Sequence, residues 1–242
     1  MISDYFEYIF DTFIELKGDR KSGEDKSVPG GLAYINGQKI AVIGFQGIVS
    51  DGVTKYPEPE GYRKSIRLMT LAETFNKPVL IFTDIPEIDN SVSTEKQKML
   101  EPTVHALECM LNLKVPIISV IMGMNNNSLT LDLCASDRII MYDGASCILN
   151  IAGYDLSKNK EIIQNISISS DELVKMNIVD RVVKYLPDDL KSNGKLLKDV
   201  IIDELNDLFK TNPSALVEQR FNKLQSKFLS LKSVYNQMKK HL

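Results

Sequence analysis

Apolar positions change their spacing several times along the chain, and each change marks an element. From Phe6 to Phe13 aromatic and aliphatic residues recur at steps of three and four, which predicts a short amphipathic helix ending before Gly18. A polar loop runs from Lys17 to Pro29. Gly31 to Ile35 and Gln38 to Gly44 then alternate apolar and polar residues about Asn36-Gly37. Asn-Gly accepts the positive φ angles of a tight type I′ turn, so the two runs predict a hairpin. Phe45 to Pro59 mixes glycine and proline with polar residues. It reads as a loop between a buried strand and a helix, where the wall of a binding site can form.

Helix Glu60 to Phe75 places Leu68, Leu71, Ala72 and Phe75 on one face, with Arg63, Lys64 and Arg67 on or near the other. Pro78 introduces a strand, Val79 to Asp84. Leu100, Val104, Leu107 and Leu111 stand in helical register, and Pro102 puts the start of that helix near Glu101. Pro116 opens a strand reaching Gly123. The polar run Met124 to Ser128 can cap a helix continuing to about Ala135, and a further strand spans Arg138 to Tyr142. Continuous apolar strands alternating with helices predict a parallel sheet covered on both faces. Lys158 to Ile168 is polar and poorly periodic. Ser169 to Glu172 then caps a helix stopping near Asn177, followed by a short strand in Ile178 to Val183. Leu196, Leu197, Val200, Ile201, Leu205 and Leu208 form one helical stripe, and Leu216, Phe221, Leu224 and Phe228 another. The chain divides into an α/β domain, residues 1–186, and a helical tail, 187–242, that packs on the domain or on a partner.

Composition narrows the function classes. Over 242 residues, 43% are hydrophobic and 25% charged, the balance of a globular protein. A net charge of −3 without massed lysines before the extreme C-terminus argues against nucleic acid as a partner. No apolar run approaches the roughly 18 residues of a membrane span, and the acids in Met1 to Phe10 do not fit a leader. Cys109, Cys134 and Cys147 are odd in number and sit in apolar elements, as reduced thiols of a cytoplasmic protein do. Two histidines, no CxxC pair and no clustered carboxylates point away from a metal. Neither GxGxxG nor GxxxxGK[ST] occurs. Ser128 and His105 read as a helix cap and a helix residue rather than a nucleophile and its base.

The junction where Val120 to Gly123 runs into Asn125, Asn126 and Asn127 carries more chemistry. A strand emptying into a helix N-terminus offers free N–H groups and the positive end of the helix dipole to an oxyanion. The plainer alternative is an ordinary strand-to-helix connection.

Blocks of sequence lead to a family. Phe10 to Arg20, then Pro29-Gly30-Gly31-Leu32-Ala33, then PEPEGYRKSIRLMTLAETFNKP from Pro57 to Pro78, follow one another in order. Further blocks stand at Val115 to Gly123, Ser136-Asp137-Arg138, Asn177 to Asp180 and Leu216 to Lys227. Together they resemble the α subunit of bacterial acetyl-CoA carboxylase carboxyltransferase, over nearly the whole chain. The resemblance implies a crotonase/ClpP-like spiral of ββα units with C-terminal helices. It also implies an oligomer containing a carboxyltransferase β-like subunit and served by a biotin carboxyl carrier protein. Carboxybiotin on that carrier would be the donor, an acyl-CoA the acceptor and malonyl-CoA the type of product, in fatty-acid or polyketide metabolism. Backbone donors would fall at Gly123, Asn125 and Asn126. Phe45, Gln46 and Gly47, with Gly61, Tyr62 and Arg63, would shape the pocket, although Tyr62 and Arg63 could equally be a solvated helix face.

The chain departs from the family pattern around that pocket. Asn125-Asn126-Asn127-Ser128-Leu129 stands where the family has GGSGG, Asp84 to Asn90 where it has TPGAYPG, and Ile151-Ala152-Gly153-Tyr154 where it has SPEG. Asparagine still supplies N–H groups and tolerates left-handed backbone, whereas close approach of a ligand to the main chain favours glycine. Two alternatives therefore stand beside the carboxyltransferase: a catalytically silent paralogue stabilising a carboxyltransferase complex, and a stand-alone crotonase-type hydratase, isomerase or decarboxylase using Glu87, Glu95 or Glu101.

Overall fold

The computed structural model describes residues 1–86, 93–123, 135–155 and 160–239, with backbone alone over 93–100, 149–155, 160–166, 228 and 230–239. The chain opens with a 3₁₀ turn, Ile2–Tyr5, and one turn of helix α1, Phe6–Ile9. The expected helix to Phe13 stops there. Phe6, Ile9 and Phe10 are buried, but Thr12–Glu15 forms an edge strand, β1, antiparallel to β2, Gly30–Ile35. The spacing of Phe6 to Phe13 suits a helix, yet the Thr12-Phe13-Ile14 run has strand propensity, and Gly31 lets it approach. A side chain at Gly31 would overlap the Ile14 carbonyl. The predicted hairpin joins β2 to β3, Gln38–Gln46, with Asn36 and Gly37 at φ 48° and 76°.

Strand β3 then pairs in parallel with β6, Val79–Asp84, and the parallel order continues through β7, Ile117–Ile121, β8, Arg138–Tyr142, and β11, Arg181–Val183. Among the described residues these make a seven-stranded sheet in the order β1-β2-β3-β6-β7-β8-β11. The expected parallel sheet is present, with an antiparallel edge. Its central strands are buried along their length because both faces are covered. Helices α2, Pro59–Thr74, and α3, Ser93–Asn112, lie over one face, on a core that includes Ile43, Phe45, Tyr62, Leu68 and Ile81. The other face carries Val42, Phe82, Val120 and Ile140, packed against the opening turn and helix α5, Leu190–Leu208.

Several boundaries differ from the sequence reading. Helix α3 starts at Ser93, before Glu101, and keeps Pro102 inside it. The loop Phe45 to Pro59 contains a small hairpin, β4, Ile48–Ser50, and β5, Val53–Lys55, turned by Asp51-Gly52 at φ 53° and 75°. The segment read as polar and poorly periodic forms strand β10, Lys160–Ser169, antiparallel to β9, Ser146–Asp155, in a long hairpin. The short helix α4, Ser170–Lys175, carries the anticipated cap: the Glu172 N–H donates to Ser169 Oγ and the Ser169 N–H to Glu172 Oε2. The helix anticipated after Gly123, and with it Ser128 and Cys134, lies outside the described residues.

The tail belongs to this core. Leu197, Ile201, Leu205 and Leu208 of α5 join the cluster containing Ile2, Phe6 and Ile9. From α6, Pro213–Lys239, the fully buried Arg220 reaches Asp137 through both carboxylate oxygens, at 3.0 and 2.8 Å.

Candidate functional site

Parallel strands bring their C-terminal ends to one edge of the sheet, where ligands of open α/β sheets bind. Here Gln46 ends β3 beside Asp84, which ends β6. The Met122 N–H donates to Thr83 O at 3.0 Å, which places Gly123 close beyond the end of β6. The opening turn closes over this edge. Gln46 Oε1 accepts the Ile2 N–H at 2.8 Å, and Ile2 is buried beneath it. What remains is a cleft of about 280 Å³ whose lining includes Tyr5, Asp84, Met122, Gly123, Tyr142 and Tyr185.

Its polar groups differ in how they are satisfied. The Tyr142 hydroxyl donates to Asn193 O at 3.2 Å, and its ring meets Tyr185 edge-on at 5.4 Å. Tyr5 and Tyr185 line the cleft together. Burial, helped by Tyr185, pushes the Tyr5 phenol up to about 12, and burial raises Tyr142 as well. Asp84 is partly buried, and its carboxyl makes no hydrogen bond among the described residues. Burial lifts its pKa above the ordinary carboxylate value. The cleft therefore combines one weakly solvated carboxyl, three phenols and a strand end with main-chain polar groups.

The residues expected from the sequence do not all converge on it. Gly123 lines the cleft, Gln46 braces its lid, and the Gly47 N–H donates to Asp84 O at 3.0 Å. Asn125, Asn126 and Glu87 lie outside the described residues. Phe45 and Tyr62 are buried on the opposite face of the sheet, their rings 5.4 Å apart. Gly61 packs so tightly on Asp25 and Val28 that a side chain there would overlap both. Asp25 itself accepts the Ser27 and Glu58 N–H groups, each at 2.8 Å. Arg63, with 35% of its side chain exposed, is turned from the cleft: its Nε meets Asp19 at 2.7 Å and its NH2 group the Ser22 hydroxyl at 2.7 Å. Asp19 also accepts the Gly23, Lys21 and Ser22 N–H groups, and these donors hold its carboxyl well below the usual carboxylate range. The start of α2 thus anchors the Lys17 to Pro29 loop. That loop and the β4–β5 hairpin border a wider cleft of about 940 Å³, lined by Lys26, Lys55, Tyr56 and Glu58 among others.

Sequence reasoning missed Asp84, Tyr5, Tyr142 and Tyr185 as site residues. Asp84 carried a usable signal, since it is a carboxylate ending an apolar parallel strand. The tyrosines carried none, because the opening turn, β8 and the segment after β11 meet only in the folded chain.

Among the described residues no helix is long and apolar enough to cross a membrane, and no three His, Cys, Asp or Glu side chains cluster as metal ligands. The model of the acetyl co-enzyme A carboxylase carboxyltransferase-like family matches residues 1–227. The acetyl-coenzyme A carboxylase carboxyl transferase subunit alpha of Streptococcus thermophilus is 34% identical over 234 residues, covering 92% of this chain and 91% of that one. The subunits beta/alpha protein of Clostridium tetani is 33% identical over 239 residues, and there the chain spans 41% of the relative's length. In structure, the transcarboxylase 12S core, solved as a hexamer with methylmalonyl-coenzyme A bound, superposes with a TM-score of 0.64 at 15% identity. That match covers 87% of this chain and 42% of the other.

Proposed function

This chain belongs to the acetyl-coenzyme A carboxylase carboxyltransferase family, and from that premise we propose that it is an α-type subunit moving a carboxyl group from carboxybiotin to an acyl-CoA. It works in the cytoplasm with a β-type subunit and a biotin-bearing carrier, and the product is of the malonyl-CoA type. The observation that carries the reading is the coextensive match to an α-subunit relative, 92% of one chain against 91% of the other. The β/α relative, with the matched part at 41% of its length, supports a β-type partner.

Carboxybiotin supplies the carboxyl group, and this chain's contribution is the environment of the developing negative charge. The family resemblance puts oxyanion donors at Gly123, just past β7, and at Asn125 and Asn126, and stabilisation of an enolate or ureido oxyanion by preorganised donors often outweighs every other source of rate acceleration in such sites. The opening turn, fixed by Gln46, covers that edge and limits water. Tyr5 and Tyr142 are neutral at physiological pH and add no competing charge.

The replacement of GGSGG by Asn125-Asn126-Asn127-Ser128-Leu129 favours one second reading, a silent subunit that assembles without catalysing. Co-expression with the β-type subunit of the same organism separates the two. The expected result is a stable complex forming malonyl-CoA from acetyl-CoA when supplied with a carboxylated biotin donor, with transfer reduced at least about tenfold by Asn125→Pro, which removes a backbone N–H. A complex that forms and transfers nothing makes the chain a silent partner, and failure to form a complex overturns both readings.

A further inference from the structure

We propose that the outer side of α6 is a contact between two copies of this chain, which pair their last helices antiparallel along a heptad seam. Helix α6, Pro213–Lys239, runs on past residue 227, where the match to the family model stops. Along it apolar residues recur at alternating steps of three and four, at positions Phe221, Leu224, Phe228, Leu231, Tyr235 and Met238. A 3.5-residue repeat keeps those positions on one side of a helix that winds about a partner helix, and with Val217 the run covers roughly three heptads, the length at which such a repeat argues for a coiled coil. The domain leaves the described start of this row open. Leu216, Arg220 and Lys227 make the buried side of α6, whereas Phe221 is 59% exposed and Leu224 is half-buried. A phenylalanine that open, within a continuous apolar row, marks a contact surface.

Charge selects both the partner and its direction. One flank of the row holds Arg220 and Lys227, which are buried against the domain. The other holds Glu218, Gln225, Lys232 and Lys239, of which Glu218 and Gln225 are exposed. In an antiparallel pair the two kinds of seam position alternate across the interface, so Phe221 stands opposite Met238 of the second copy, Leu224 opposite Tyr235 and Phe228 opposite Leu231. That register sets Glu218 against Lys239 and Gln225 against Lys232. Each pair occurs twice, because the interface is two-fold symmetric. A parallel pair would instead need the flank that Arg220 and Lys227 already commit to the domain, and would bring Lys232 beside Lys227. The row is thus self-complementary in one direction, and a second copy of this chain supplies the matching charges.

Sedimentation equilibrium of the full chain alone, over a range of concentrations, tests this. The expected result is a monomer–dimer equilibrium. Phe221→Glu should leave monomer only, with the urea midpoint of the monomer unchanged, because the side chain it replaces is largely exposed. Glu218→Lys should weaken the dimer roughly tenfold, since two symmetric surface pairs change from attraction to repulsion. Adding Lys239→Glu to that variant should restore the wild-type dimer, a rescue that the antiparallel register alone provides. A monomer at every concentration overturns the proposal. So does a dimer that survives Phe221→Glu, or one weakened by Glu218→Lys that Lys239→Glu fails to restore. A chain that is monomeric alone and loses its β-type subunit with Phe221→Glu gives the seam to that subunit, which also overturns the proposal. None of these readouts involves carboxyl transfer, so the seam stands or falls independently of the reading above.

Discussion

At the scale of single residues, much of the motif that identifies the family here serves the scaffold. Arg63, which the family resemblance puts at the pocket, and its neighbour Lys64 are committed to Asp19 and Glu24, each at 2.7 Å. Asp19 has the sharper consequence. Its carboxylate is stabilised by main-chain donors and Arg63 in the fold, whereas in the unfolded chain it titrates near 4, on the order of an ordinary aspartate. A pKa lowered by folding means that the stabilisation is complete above the unfolded value and is lost as pH falls toward the folded one. Wild-type protein should therefore lose stability on acidification below about pH 5, and Asp19→Asn should show a shallower loss together with lower stability at neutral pH. Urea titrations across that range check both slopes. At this scale the sequence names Gly123, from a strand-to-helix junction, and Gln46, from the family resemblance, and both stand at the sheet edge that carries the cleft. Tyr62 and Arg63 are misplaced by the sequence reading because a helical face does not reveal which loop folds back onto it. Asp84 is masked, since it closes an apolar strand while Glu87, Glu95 and Glu101 follow as more conspicuous acids.

At the scale of elements, the legible parts of the fold have a local cause. Asn36-Gly37 sets its own hairpin, and the strands ending at Asp84 and Tyr142 are bounded by polar or proline residues. The cap of α4 is equally local: Ser169 and Glu172 satisfy each other's main-chain donors before a helix of six residues. A helix that short depends on its cap. Ser169→Ala should cost about 1 kcal/mol, measured as a lower urea midpoint at unchanged slope, and Ser169→Asp should recover most of it. The elements hidden from the sequence depend on distant partners. The strand β1 needs the gap at Gly31 in β2. In the β10 sequence apolar and polar residues alternate only over Ile166-Ser167-Ile168-Ser169, so the strand period is hidden along the rest of the run.

At the scale of the molecule, the question is what makes the tail one piece with the sheet. Arg220 answers it, because a single guanidinium from α6 closes three elements. Besides its two bonds to Asp137, it donates to the carbonyls of Met110, Leu113 and Val115, at 2.6, 2.8 and 3.1 Å. Those carbonyls lie at the end of α3 and the approach to β7, and Asp137 in turn accepts the Ile117 N–H at 2.7 Å. The strand that leads to Gly123 is thus positioned from its far end by a residue of the last helix. Lys223 adds a bond to Asp137 O at 3.0 Å and an ion pair with Asp180. Removing the guanidinium while keeping apolar bulk, as in Arg220→Met, leaves a buried carboxylate and three carbonyls uncompensated. The expected cost is about 3–5 kcal/mol, read as a fall in the urea midpoint. Removing both charges, as in Arg220→Met with Asp137→Asn, should recover part of that loss, since an uncompensated charge is dearer than unpaired neutral groups. If Arg220→Met instead cost less than about 1 kcal/mol, far below the loss a broken buried pair brings, the tail would be a passenger on the domain. Carboxyl transfer by the complex should then be indifferent to it. On the geometry here, transfer should fall in step with the stability of β7, because the same bonds that hold α6 also set the start of the strand leading into the cleft.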